Sequence, residues 1–470
     1  EADADVPAAT WVRGKTLGGS SSVNGMMYNR GQPEDYDALE SQYGCTGWNW
    51  QHILPHMRAM EDHALGANEW RGTGGPLKVT MPSAGDALYE AMISAGENLG
   101  LKRVDDVNGP NGKGVIGYFP RTISEGKRWS SAQAFLRPAA NRPNLKIITD
   151  TLVEKILFAN RRAIGVRCSG KHAGEYRTKR EVILTAGGIA SPHLLQVSGI
   201  GDPAHLQRIG VPLIQAHPNV GRNLIEHRVL SMQFRINTQL SHNRQYQGWR
   251  LVANMLRYLG NRSGYMADGA YEAGAFFRTD DALARPDAQL LMAPYTVDPE
   301  KMPIGLEKNP GIAVLGFILR PESQGWLQAR SASITDTPEI HPNYLTAEHD
   351  RTAAIGIVRF IRRYVQQSPL RELLVNETLP GDHYQSDAEI LDAWRQLGGC
   401  GFHLVGTCRM GSDEDAVVDS DDLRVRGVCG LRVMDCSVLP FMVAGNTNAP
   451  MMAMASRAAE LILSNRHIRI

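Results

Sequence analysis

"REVILTAGGIASPHLLQVSGIG", Arg180–Gly201, joins a short apolar run to two glycines and then to a segment with helix start and stop signals. Val182, Ile183 and Leu184 have the length and composition of a buried strand. In "SPHLLQVSGIG", Ser191 reads as an N-cap, Pro192 as the first helical position and Gly199 as the stop. Strand, glycine turn and helix start is the order in which α/β proteins meet nucleotide phosphates. The first-turn N–H groups are unpaired there and the helix dipole favours an anion.

Upstream, "NLKIITDTLVEKILFANRRAIGVRC" (Asn144–Cys168) reads as strand, strand, tight turn, strand, with "ANRR" as the turn. Downstream, "GWRLVANMLRYLG" has the period of an amphipathic helix. "AGAFFRT", "GIAVLGFILRP" and "GWLQARS" are expected to form an antiparallel sheet with one wet face. "DRTAAIGIVRFIRRYVQQ" (Asp350–Gln367) predicts another helix, with Asp350 as its cap. Near the end, Leu431–Met434 reads as a strand, followed by a loop and a long helix capped by Asn448 with Pro450 in its first turn. The positive end of that helix suits a group that becomes anionic.

The chain has 470 residues, enough for two or more domains, and its 43% hydrophobic and 21% charged residues are ordinary for a globular protein. A net charge of +1 without a basic tract argues against nucleic-acid binding. No apolar run has the length of a membrane span, and "EADADVPAAT" does not read as a secretory signal. The six cysteines form no C-x-x-C pair and read as reduced thiols, which places the expected location in the cytoplasm and leaves a peripheral membrane position open. His52 and His56 share a helix face, but Pro55 intervenes and no H-E-x-x-H pattern is present, so no metal site is expected.

Three stretches stand out together: "GKTLGGSSSVNGMMYNRG" (Gly14–Gly31), "TAGGIASPHLLQVSGIG", and "GFHLVGTCRMG" paired with "AGNTNAP". With "GWNWQHILPHMRAMED", "HPNVGRNLIEH", "RPESQGWLQARS", "EIHPNYL" and "VMDCSVLP", they resemble the glucose–methanol–choline (GMC) oxidoreductases over nearly the whole chain. Within that family the likeness is to the choline dehydrogenase and aryl-alcohol branch. The resemblance implies an α/β fold: a discontinuous Rossmann-like FAD-binding domain plus a substrate domain with an antiparallel sheet and helices. The expected division is 1–230, with the FAD-binding part; 231–315, covering the substrate; and 316–470, with the catalytic pair and the last helix.

Carried over by motif position, Gly18, Gly19, Asn24, Gly25, Met26 and Met27 line the flavin. Val153 meets the adenine through its backbone, Asp435 lies by the ribityl and phosphate region, and Thr447 and Asn448 face the flavin pyrimidine. His403 matches the family's catalytic histidine and Asn446 its partner position. An imidazole is suited to taking a hydroxyl proton, whereas an amide can only donate and orient. Val23 stands where some members bear the histidine that bonds the flavin covalently, so FAD is expected to be non-covalent. Glu272 could face a cationic substrate, but a paired structural carboxylate is the preferred reading.

The activity implied is oxidation of a primary alcohol to an aldehyde, with oxygen or a quinone as acceptor. A hydroxynitrile-lyase-like member and a flavin-free remnant are the alternatives. No strand–G-x-G-x-x-G–helix fingerprint occurs ahead of Gly14. The first βαβ unit is therefore expected to be missing from this stretch, which reads as a piece of a longer sequence, and these 470 residues alone are expected to bind FAD weakly.

Overall fold

The computed structural model describes residues 9–110, 112–298 and 305–464. Its largest element is an eight-stranded sheet. Along the main path the order is Leu374–Leu379, Arg228–Ile236, Gly311–Ile318, Ala288–Ala293, Ala273–Phe277, Gly114–Tyr118 and Lys102–Arg103, while Gly399–Cys400 pairs separately with Arg228 and Val229. The pairings are antiparallel except that between Lys102–Arg103 and Gly114–Tyr118. The sheet thus draws strands from all three regions of the sequence.

The sheet does not have the wet face expected of it. Ala273–Phe277 and Ala288–Ala293 are buried at every position. Helices Glu348–Val365 and Ala87–Asn98 cover one face, where Ile357, Ile361 and Tyr364 join Leu290, Met292 and Val314 in one core. Gly316 lets the helix come close, since a methyl group there would meet Ile357 at 2.4 Å. The other face carries Phe276, Leu291 and Phe317 against Met27 and Phe119. It is dry because the 14–31 loop lies on it. "GWLQARS" also departs from expectation: Trp326–Gln328 pairs with Glu339–His341 in a ribbon of its own.

The other half of the molecule is α/β. Val182–Leu184 pairs in parallel with Leu431–Val433, and helix Gly187–Val197 follows the first strand. Thr151–Ala159, Arg162–Gly170 and Gly174–Arg177 form an antiparallel sheet turned by Asn160 and Arg161, both at positive φ. Residues 144–149, expected as a strand, have no strand partner among the described residues. The final helix, Asn448–Ser464, packs against Trp50–Met60. No helix among the described residues is long and apolar enough to cross a membrane.

Three expected caps shift. Ser191 lies inside its helix, which begins at Gly187 because the Asp435 carboxylate accepts the Gly187 N–H at 2.9 Å. Pro192 is therefore internal, and the Gly188 carbonyl it cannot satisfy instead accepts the Thr407 hydroxyl at 2.6 Å. Asp350 is the third residue of its helix and accepts the backbone N–H groups of Glu322 and Ser323. Asn448 is the first residue of the last helix, and the Met451 N–H bonds the Thr447 carbonyl before it.

Candidate active site

The 14–31 loop turns sharply at Gly18, φ 90°, where a short 3₁₀ segment, Gly19–Ser22, begins. Ser21 anchors it by accepting the Ser131 N–H at 3.0 Å. Asn24 accepts from Met26 N–H and from the Arg128 guanidinium. Met26 is itself left-handed, φ 64°, and its carbonyl accepts from Thr122 N–H. Met27 then enters the aromatic face of the sheet. Two residues on, the Asn29 amide donates to Asn446 Oδ1 at 2.6 Å. The loop is therefore tied directly to the catalytic pair expected from the sequence.

Asn446 and His403 are brought together: Asn446 Nδ2 lies 2.9 Å from His403 Nε2. The opposite ring nitrogen of His403, Nδ1, is 2.8 Å from Nδ1 of His227. His227 Nε2 in turn is 3.0 Å from the Leu319 carbonyl. A carbonyl only accepts, so His227 carries its proton on Nε2. Burial pushes the His227 pKa down to about 4, so its ring is neutral and Nδ1 is an acceptor. The proton between the rings then belongs to His403 Nδ1, which leaves the lone pair on Nε2, facing Asn446. Burial, with His227 and Arg13 adding to it, holds His403 well below the usual histidine range.

Glu226 joins the backbones of the two histidines. One carboxylate oxygen accepts the backbone N–H groups of His227 and His403, each at 2.8 Å. Burial raises its pKa to about 7, opposed by those N–H groups and by Arg13 at 3.9 Å. Phe402, next to His403, is exposed and left-handed, φ 65°, an unusual conformation for an aromatic residue. Sequence reasoning missed His227 and Glu226. Their signal was present in "HPNVGRNLIEH", but histidines other than His403 read as structural.

The remaining expected residues divide. Thr447 is buried at the start of the last helix and Asn448 is half-buried beside it. Asp435 is spent inside the protein, accepting from Gly187 N–H, Ser191 Oγ and Ser437 N–H. Val153 lies in the strand Thr151–Ala159, paired with Cys168 beside a register shift. Val23 is exposed. Glu272 is buried and its carboxylate is paired with Arg121 and the Gly269 N–H, the structural reading preferred from the sequence. His52 bonds Asn49, and His56 bonds Ser456 and Glu460.

Several features fit the ring and ribityl end of a flavin. Gly19, Gly25 and Gly187 face open space, with none of the described residues within 4 Å of where a side chain would stand. Gln289 is buried with both amide atoms unpartnered among the described residues, as is Asn29 Oδ1, and both flank the Gly445 turn that carries Asn446. Such atoms call for a polar ligand. A cleft lined by Gly18, Ser131, Ala132, Phe135 and Leu136 opens beside the loop.

Residues 2–229 and 321–455 match the two GMC oxidoreductase family models. The chain belongs to the GMC oxidoreductases. It is 39% identical to human mitochondrial choline dehydrogenase over 96% of its own length and 76% of that protein. It is 36% identical to the oxygen-dependent choline dehydrogenase of Pseudomonas aeruginosa strain UCBPP-PA14 over 96% and 80%. Pyridoxine 4-oxidase from Mesorbium loti superposes with a TM-score of 0.86 at 29% identity, covering 98% of this chain and 86% of the other. A formate oxidase variant from Aspergillus oryzae RIB40, described for its FAD modification, gives 0.88 at 25%, covering 97% and 85%. This GMC protein is a flavoprotein oxidoreductase that acts on alcohols, and FAD is its cofactor. Its α/β fold with a substrate sheet is that of the family.

Proposed function

We propose that this GMC protein oxidises a primary alcohol to an aldehyde, with His403 as the base and Asn446 as the hydrogen-bond donor to the substrate oxygen. The observation that carries the reading is the directional chain Asn446–His403–His227–Leu319, which leaves a lone pair on His403 Nε2. A substrate hydroxyl entering between Asn446 and His403 receives the amide N–H and gives its proton to Nε2. His227 continues to accept from Nδ1–H as the His403 ring becomes cationic. Glu226, whose carboxylate accepts the backbone N–H groups of both residues, fixes the two histidines relative to each other.

The loop residues Gly18, Gly19, Asn24, Gly25, Met26 and Met27, with Thr447 and Asn448, hold the flavin ring end. Val153 serves the adenine side through its backbone, and Asp435 serves the ribityl side indirectly, by holding the Gly187 N–H at the helix start that faces open space. FAD supplies the hydride acceptor when bound. Choline is the first alcohol to test, because relatives at 36–39% identity bear that name. The test is anaerobic mixing of flavin-loaded protein with choline, and separately with benzyl alcohol. Loss of flavin absorbance with at least one supports the reading; no loss with any primary alcohol overturns it.

A further inference from the structure

Helix Gly248–Asn261 is amphipathic in an inverted sense. Trp249, Val252, Leu256 and Leu259 recur at i, i+3, i+7 and i+10 and share one face. That face points outward: Trp249 is 75% exposed, Leu256 and Leu259 65% and Val252 56%. Met255 extends the stripe, and Met266 is exposed just beyond the helix. No residue of the helix is buried. It is held from its other side, where Asn254 donates to the Gln245 carbonyl at 2.8 Å and Leu251 and Tyr258 are half-covered. A surface helix ordinarily turns its apolar stripe inward.

The sequence of the helix and its flanks is basic, and the next carboxylate along the chain, Asp268, is paired with Arg121. Residues 227–267 contain no Asp or Glu. Arg244, Arg257 and Arg262 are exposed and Arg250 is half-exposed. Among the described residues, none of these four pairs with a carboxylate. Arg250 instead lies over the Trp249 ring and Arg262 over the Tyr258 ring. A basic rim around a Trp-, Leu- and Val-rich face is the composition that lies in a membrane interface.

We propose that Gly248–Asn261 docks this enzyme on an anionic lipid bilayer, with the Trp249–Leu259 face in the acyl boundary and the arginines on the headgroups. Charge decides against a second copy. A two-fold contact through this face sets the arginines of one chain against those of the other, whereas anionic headgroups complement them. The placement also bears on the site. The Arg262 carbonyl abuts Gly126 of the hairpin whose Arg128 holds Asn24, and Gly269, seven residues on, faces Gly25. Docking therefore sets the 14–31 loop near the bilayer, within reach of a lipid-soluble electron acceptor.

The proposal is independent of the base assignment and is tested without turnover. The purified protein is sedimented with vesicles of phosphatidylcholine, with or without phosphatidylglycerol. Binding to the anionic vesicles that weakens with salt is expected. Leu256→Glu/Leu259→Glu should lower the affinity at least about tenfold. Arg250→Gln/Arg257→Gln should lower it about fivefold per arginine on anionic vesicles only. Unchanged thermal melting of these exposed-site variants shows that they fold. Absence of wild-type binding at low salt overturns the proposal, as does equal binding by the leucine variant. Sedimentation equilibrium showing a dimer that the leucine variant dissociates, without vesicle binding, assigns the face to a second copy and also overturns it.

Discussion

His227 Nδ1 and His403 Nδ1 lie 2.8 Å apart, and the hydrogen between them belongs to His403. The reason is two bonds away: His227 Nε2 already donates to the Leu319 carbonyl. A neutral ring can donate from only one nitrogen. The state of the candidate base is thus set by a backbone carbonyl just past the end of the Gly311–Ile318 strand.

Replacing His403 by Ala should slow flavin reduction by roughly 10²–10⁴-fold, the usual range for removal of a general base. Asn446 cannot take a proton and offers no rescue. FAD content should stay the same. Single-turnover reduction at a near wild-type rate would show that the base lies elsewhere.

His227 is a positioning residue, and its variants should separate that role from packing. His227→Phe fills the space but offers no acceptor to His403 Nδ1. It is expected to lower kcat at least about tenfold with little change in KM, because the lone pair is no longer held on Nε2. His227→Asn restores an acceptor oxygen and should recover part of the rate. Equal rates for Phe and Asn variants would reduce His227 to a packing role.

Glu226 makes stability depend on pH with a definite sign. Burial raises its pKa from 4.5 to about 7. Between those values the native state retains a proton that the unfolded chain has released. The stabilisation is full below pH 4.5 and is lost as pH rises through about 7, a contribution on the order of 3 kcal/mol. Glu226→Gln cannot titrate, so its urea-unfolding free energy should fall less than wild type over that window. Parallel curves would place the titration on another group.

The start of the last helix should tune the flavin. Ala449 is sealed in the core at 1% exposure, so a charge there tests packing alone. Asn448→Asp keeps the shape and adds an anion at the first helical residue. It is expected to lower the flavin midpoint potential by roughly 10–40 mV, from the helix-terminus range and the two-electron conversion. Potentiometric titration at matched FAD occupancy measures it; an unmoved potential would place the helix end outside the flavin's field.

Val23 offers no nucleophile to the flavin. Acid precipitation of the flavin-loaded protein should release all the yellow colour to the supernatant, and colour kept in the pellet would reveal a covalent bond.

By itself the sequence determined which elements form and which motifs recur. The period of "GWRLVANMLRYLG" specified an amphipathic helix, "EVILTAGG" a strand, though one of which only Leu184 is buried, and the two motif residues His403 and Asn446 a pair, because these signals are local or carried by short patterns. The tertiary structure alone decided what those elements face. Hydrophobic period reports that one helix face is apolar but not whether protein covers it, so the outward turn of Trp249, Leu256 and Leu259 was invisible. The dry second face of the sheet was hidden too, since it depends on Met27, more than two hundred residues ahead of the Ala273–Phe277 strand it packs on. Ser191 lost its cap role to the Asp435 carboxylate, a partner 244 residues away. His227 met His403 across 176 residues of chain. Hydrogen bonds of this range depend on how layers pack, and a sequence read segment by segment carries no term for that.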